Sequence, residues 1–240
     1  MHQILNYKLM QLVILAGGFG TRLKSVLNGL PKPLADINGQ PFLKLLFQNW
    51  VNNGFNDFVL CLHFEAEKII EFVKQEQDFG VLKNCKIQFS MEPTPMGTGG
   101  AISYAVDKLE IDNNILIANA DTWLNQDYNK IINSAENSIT IVQIENTDRY
   151  GSVIIDDKNK IDYFNEKSKS SGPGFINAGF YKLSKTFFIN WNGEAFSIET
   201  NLFPLLVKEK KLNYVISESD FIDIGIPEDY HRFCNQFKVY

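Results

Sequence analysis

Cysteine is scarce: Cys61, Cys85 and Cys234 are the only three in 240 residues, widely spaced and without a CxxC pair. That excludes a disulfide framework and a zinc site of the usual spacing. None has the surroundings of an activated thiol, so each reads as a small packed hydrophobe, and His2, His63 and His231 read as equally ordinary. No apolar run reaches the eighteen or so residues that a membrane helix needs, because charged or polar residues interrupt every one. Positive charge is not in excess either. Lys plus Arg number 23 against 28 Asp plus Glu, a net charge of −5, which speaks against a dedicated nucleic-acid binder. The first fifteen residues, MHQILNYKLMQLVIL, have no small-residue cleavage site, so no signal peptide is read and a cytoplasmic compartment is expected. Linkers, low-complexity tracts and internal repeats are missing too, and hexapeptide repeats with them.

What is present is a globular composition, 45% hydrophobic and 21% charged. A chain of this length should bury roughly 70% of its unfolded surface, so one domain over 1–240 is expected. Short apolar runs at 11–15, 57–62, 86–91 and 114–119 read as strands. They alternate with amphipathic segments at 42–53, 65–74 and 98–107 that read as helices. This is the pattern of βαβ units, a mainly parallel sheet covered by helices, with ligands gathering at strand C-termini. Beyond 138 the texture changes. Strand-like runs at 139–144, 151–155, 161–165 and 178–183 are separated by turn residues, and read as antiparallel additions to the same sheet. A helix at 198–210, a strand at 212–217 and a last helix opened by Pro227 complete the chain. The halves meet near 137 and 138.

The first strand runs straight into Ala16-Gly17-Gly18-Phe19-Gly20-Thr21-Arg22-Leu23. A glycine-rich loop at a strand end exposes N–H groups to an anion, and Arg22 adds a planar fork for phosphate oxygens. The loop is neither a P-loop, since no Gly-Lys-Ser/Thr follows, nor a dinucleotide fingerprint, since Leu23 stands where its last glycine belongs. The continuation is Leu30-Pro31-Lys32-Pro33-Leu34 and then Asn38-Gly39-Gln40-Pro41-Phe42. The composite of strand, GGxGTRL, PKPL and xGxP resembles the sugar-1-phosphate nucleotidyltransferases, or nucleotide-sugar pyrophosphorylases.

That resemblance implies a three-layer αβα Rossmann-like sandwich with a mixed, mainly parallel central sheet, the nucleotide-diphospho-sugar transferase fold. It also implies a nucleotide-binding half at about 10–137 and a sugar-phosphate-binding half at about 138–240. Leu15, Gly17, Gly18, Gly20 and Thr21 would wrap the nucleotide, with Arg22 and Lys32 on its phosphates. Glu92-Pro93-Thr94-Pro95-Met96-Gly97-Thr98-Gly99-Gly100-Ala101 is similar to the base-and-ribose segment of the mannose- and heptose-phosphate guanylyltransferase branch. By that likeness Glu92, Gly97 and Thr98 serve the nucleotide, and a carboxylate at 92 suits the N1–H and N2–H₂ of guanine. Asn119-Ala120-Asp121 and Asp223, in Asp223-Ile224-Gly225-Ile226-Pro227-Glu228-Asp229-Tyr230, match the metal positions, and two hard carboxylates suffice for Mg²⁺ when phosphates and waters complete the shell. Gly151, Glu166, Lys167 and Asn177 match the acceptor side, with Lys167 on the sugar phosphate.

Ser197 and Glu199 explain themselves as N-cap and first-turn acid of a helix. Lys24-Ser25-Val26, the Pro-Phe-Leu helix start and Asp148-Arg149-Tyr150-Gly151-Ser152-Val153 most resemble heptose 1-phosphate guanylyltransferases. Mannose 1-phosphate guanylyltransferases come next, then cytidylyl- or thymidylyltransferases. A non-catalytic nucleotide-sugar regulator is a different class; such proteins usually lose phosphate or metal residues, whereas Arg22, Lys32, Asp121, Lys167 and Asp223 are all present. The implied partners are a nucleoside triphosphate and a sugar 1-phosphate, without nucleic acid or membrane, and a homo-oligomer is left open.

Overall fold

Apolar runs of four to six residues bounded by polar turns are too short for stable helices and long enough to cross a sheet. A computed structural model describes residues 11–125, 128–165 and 172–237. In chain order it contains β1 (Leu12–Leu15), α1 (Lys24–Leu27), β2 (Asp36–Ile37), β3 (Gln40–Pro41), α2 (Phe42–Asn52), β4 (Asp57–Leu62), α3 (Ala66–Phe79), β5 (Lys86–Met91) and α4 (Gly97–Lys108). Then come β6 (Asn114–Asn119), β7 (Thr122–Leu124), α5 (Tyr128–Ile132), β8 (Ser138–Ile144), β9 (Ser152–Ile155), β10 (Ile161–Asn165) and β11 (Gly174–Ser184). The chain closes with α6 (Phe203–Lys208), β12 (Asn213–Ser217), β13 (Phe221–Asp223) and α7 (Pro227–Gln236). The class is α/β with a mixed sheet flanked by helices, as expected.

The chain divides into two compact units. Of the described residues, the first takes in 11–95, 119–123 and 222–237. Here β1, β4 and β5 run parallel, with Leu12 opposite Phe58, Leu15 opposite Cys61 and Leu62 opposite Met91. β1 and β4 are almost wholly buried, which is why they read as unbroken apolar runs. Helix α2 buries Phe42, Leu43, Leu46, Phe47 and Trp50, and Phe47 and Trp50 meet Phe58 of β4 edge-on or tilted. Phe233 of α7 packs on Phe42 and Trp123. Helix α3 runs five residues past the expected Lys74, because helix-tolerant polar residues continue to Phe79. It stops at Gly80, where the Glu76 carboxylate accepts from the Val81 N–H.

Of the described residues, the second unit takes in 96–118, 124–125, 128–165 and 172–221. The long strand β11 is its axis, pairing antiparallel with β6, β8 and β9, while β9 pairs antiparallel with β10. The four runs read as antiparallel additions do pair antiparallel, while β12, for which no direction was read, joins β8 in parallel, from Asn213 opposite Ser138 to Ser217 opposite Val142. The segment read as one helix at 198–210 is a wide π-type turn, Ile198–Leu202, followed by α6, with Pro204 in the first turn of α6 where its missing N–H costs nothing.

Candidate active site

Within the first unit, β1 delivers its C-terminal end to the glycine loop. Leu15 is half-buried and its carbonyl accepts from the Ala120 N–H at 3.1 Å, which anchors the Asp121 segment at that strand end. The Asp121 carbonyl in turn accepts from the Ile224 N–H at 3.0 Å and draws in the turn that carries Asp223, while β7 and β13 pair as a short ribbon. Two aspartates a hundred residues apart in sequence thereby reach one place.

Lys32 fills the space between them. Prolines on both sides set it in a tight turn, Lys32–Leu34, with the Ala35 N–H closing onto the Lys32 carbonyl. Its Nζ donates to Asp121 Oδ2 at 2.7 Å and to Asp223 Oδ1 at 3.3 Å, and the residue is 8% exposed. Gly20 sits in the left-handed region at φ 61, and a Cβ there would come within 3.2 Å of the Lys32 Cβ. The loop therefore closes directly on the lysine stem. Gly225 donates its N–H to Asp223 Oδ1 at 2.7 Å, and a Cβ at 225 would lie 2.8 Å from that same oxygen.

Burial works against the Lys32 ammonium, but Asp121 and Asp223 outweigh it and hold the pKa above the usual lysine value. Burial likewise disfavours charge on Asp121. Lys32, then the Thr122 hydroxyl at 3.1 Å and the Arg22 guanidinium, overcome this and hold its carboxyl below the usual range. Asp223 goes the other way, because burial and the neighbouring Asp121 charge push it up more than Lys32 and the Gly225 N–H bring it down. One ammonium shared by two carboxylates leaves a net charge of −1. Such a donor set fits a divalent cation that completes its shell with phosphate and water oxygens.

The rest of the loop is open. Gly18, Thr21 and Arg22 are exposed, and a Cβ at Gly18 would meet nothing within 4 Å. Of the three loop glycines only Gly20 has a positive φ. Gly17 is needed for room instead: a Cβ would lie 3.0 Å from Glu92 Oε1 and 3.1 Å from the His63 nitrogen. Glu92 is thus beside the loop backbone. Cys61 is fully buried, and burial followed by the Glu92 charge pushes its thiol far above the range in which it could react.

The second unit assembles other expected residues. Gly97 starts α4 at φ 70, where a Cβ would lie 2.5 Å from the Phe196 oxygen, and that same carbonyl accepts from the Gly99 and Gly100 N–H groups. Thr98 Oγ1 donates to Glu199 Oε2 at 2.6 Å and accepts from the Ile198 N–H at 2.9 Å. Gly151 and Asn177 are neighbours, the Gly151 carbonyl accepting from the Asn177 N–H at 2.8 Å. Glu166 and Lys167 lie outside the described residues. Ser197 is the expected N-cap, its hydroxyl accepting from the Glu199 and Thr200 N–H groups. Glu199, however, is more than a first-turn acid: it is 8% exposed and holds Thr98, Ser197 and Tyr181 at once. No local pattern could have indicated this, since Thr98 is 101 positions away.

Residues 11–238 match the Nucleotidyl transferase family. The D-glycero-alpha-D-manno-heptose 1-phosphate guanylyltransferase of Campylobacter jejuni is 37% identical over 226 residues, covering 93% of this chain and 98% of that protein. The enzyme of the same name from Aneurinibacillus thermoaerophilus is 35% identical over 237 residues, covering 96% and 100%. The mannose-1-phosphate guanyltransferase of Saccharomyces cerevisiae is 31% identical, covering 91% of this chain and 62% of that protein. Among solved structures, HddC from Yersinia pseudotuberculosis complexed with GMP-PN has a TM-score of 0.81 at 37% identity, covering 95% of this chain and all of that one. This chain belongs to the nucleotidyl transferase family.

Proposed function

We propose that this chain transfers a guanylyl group from GTP to D-glycero-D-manno-heptose 1-phosphate, releasing pyrophosphate and forming GDP-heptose for surface polysaccharide. The carrying observation is the Lys32 ammonium between Asp121 and Asp223, closed over by Gly20 of the glycine loop. The choice of base and sugar is supported by the two heptose relatives at 37% and 35% identity over nearly the whole chain. It is supported also by the Glu92 carboxylate beside Gly17, an acceptor suited to guanine.

An oxygen of the sugar phosphate, already an anion, forms a bond to the α-phosphorus. The bond from that phosphorus to the bridging oxygen breaks, and its electron pair leaves with pyrophosphate. No proton has to be removed from the nucleophile, so catalysis consists of positioning and charge neutralisation. Arg22 and Lys32 neutralise the triphosphate and Lys167 the sugar phosphate. Leu15, Gly17, Gly18, Gly20, Thr21, Gly97 and Thr98 hold the nucleotide, while Gly151, Glu166 and Asn177 hold the sugar. The Thr98 hydroxyl is already engaged with Glu199 and Ile198, so its share falls to the backbone. Mg²⁺ held by Asp121 and Asp223 supplies further charge neutralisation at the phosphates when bound. The chain acts as one domain over 1–240 in the cytoplasm, with neither nucleic acid nor membrane as partner, and a homo-oligomer is compatible with this reading.

The test is Mg²⁺-dependent pyrophosphate release from GTP, CTP, UTP, dTTP and ATP against heptose, mannose and glucose 1-phosphates. Release with GTP and the heptose phosphate is expected. Preference for mannose 1-phosphate would overturn the sugar, another nucleotide would overturn the role of Glu92, and silence with folded protein would overturn the activity.

A further inference from the structure

Glu199 is a buried carboxylate whose side chain is held, among the described residues, by hydroxyls and not by a cation. Such a group is costly to bury, so three hydroxyl partners around one acid call for a reason beyond packing. Oε2 accepts from Thr98 Oγ1 at 2.6 Å and from Ser197 Oγ at 2.7 Å, and Oε1 accepts from the Tyr181 hydroxyl at 3.3 Å. Tyr181 is fully buried, and its oxygen accepts from Asn177 Nδ2 at 2.8 Å. The Gly179 N–H donates to Asn177 Oδ1 at 3.1 Å. That bond fixes which end of the amide faces Tyr181, and the half-buried Asn177 keeps a second amide N–H and a second carbonyl lone pair, groups that suit a sugar hydroxyl.

We infer that Glu199 is a positioning residue that couples the two substrates, fixing the Asn177 amide through Tyr181 and the start of α4 through Thr98. The inference rests on the proposed function, in which Asn177 meets the sugar and the α4 start meets the nucleotide. The polarity of the relay is one-directional. Only an acid can accept at both ends, so the Tyr181 hydroxyl must donate toward Glu199 and keep its oxygen for Asn177. Glutamine at 199 would turn an amide N–H toward one of these hydroxyls and break that order. The two arms are separable, because Tyr181→Phe cuts only the sugar arm and Thr98→Val only the nucleotide arm.

The experiment is steady-state kinetics on wild type, Tyr181→Phe, Thr98→Val, Thr98→Ser and Glu199→Gln, varying each substrate at saturation of the other. Tyr181→Phe should raise KM for the sugar 1-phosphate about five- to tenfold, leaving the triphosphate KM and kcat within about twofold. Thr98→Val should raise the triphosphate KM by a similar factor, Thr98→Ser should restore it, and Glu199→Gln should raise both. Thermal melts separate a folding defect, and Tyr181→Phe keeps the ring in place should Glu199→Gln not fold. A uniform loss across both KM values in Tyr181→Phe, or no change in either, would overturn the relay. Absence of turnover by the wild type with any sugar 1-phosphate would instead overturn the proposed function, and this inference with it.

Discussion

Two acidic arrangements in this protein, one half-buried and one buried, are built on opposite terms. In the first unit, Asp121 and Asp223 share one ammonium, so the cluster is short of positive charge and of donors. In the second, Glu199 has its carboxylate held by three hydroxyls and needs nothing further. The first arrangement gains from an arriving cation or a rearrangement of Lys32, and the second loses from any change. A charge-poor cluster is where chemistry can be done, whereas a closed hydrogen-bond network is where geometry is kept.

The sharpest way to break this contrast is at the charged cluster. Asp121→Asn is expected to cut turnover by about 10²–10³-fold while the protein stays folded, since Lys32 keeps Asp223 as partner. Normal pyrophosphate release would remove Asp121 from the machinery. Lys32→Met should cost activity on a similar scale and also about 1–3 kcal/mol of stability in urea titration. The loss is smaller than for a fully buried pair because the Asp121 side chain is 37% exposed. An unchanged midpoint would mean that the two carboxylates need no cation.

The pKa directions sharpen the contrast within the pair itself. The Asp121 carboxyl is lowered, so its contribution to stability is present above the unfolded value of about 3.9 and is lost as pH falls through the folded one. The Asp223 carboxyl is raised, so its contribution is present below the unfolded value and is lost as pH rises through the folded one. At pH 7 Asp223→Asn should therefore hold the melting temperature or raise it by about 2–4 °C while abolishing turnover. Asp121→Asn should lower it. A lower melting temperature for Asp223→Asn would show that its charge stabilises the fold. The smallest effect is expected at Gly17→Ala, whose methyl would press on Glu92 Oε1. The triphosphate KM should rise about two- to fivefold with weaker discrimination between GTP and ATP, and unchanged discrimination would dissociate Glu92 from the base.

The parts that could be read from sequence were those in which chemistry and conformation share a short segment. β1 and its loop announce themselves because a buried strand is apolar and Gly20 supplies the left-handed turn over Lys32. Asp121 and Asp223 were readable as a pair by resemblance, but the Lys32 ammonium between them was not, since its place depends on contacts between remote segments. The end of α3 was missed because apolar periodicity fades after Val73 while helix propensity does not. The direction of β12 was not legible, because a side-chain pattern of period two is the same in either direction. The reading of Glu199 held but was incomplete for a physical reason as well: a first-turn acid after a serine cap already has a sufficient local explanation, and its distant partners leave no local mark.

Gly225 has a consequence for anyone seeking to broaden what this enzyme accepts. A Cβ there would lie 2.8 Å from Asp223 Oδ1 and 3.1 Å from Lys32 Nζ, so a side chain must displace the carboxylate or the ammonium, and a saturation library at that codon should return mainly its parent among active clones. Gly18, with open space around it, offers the opposite prospect: diversity introduced there reaches the nucleotide loop without touching the lysine and its two acids.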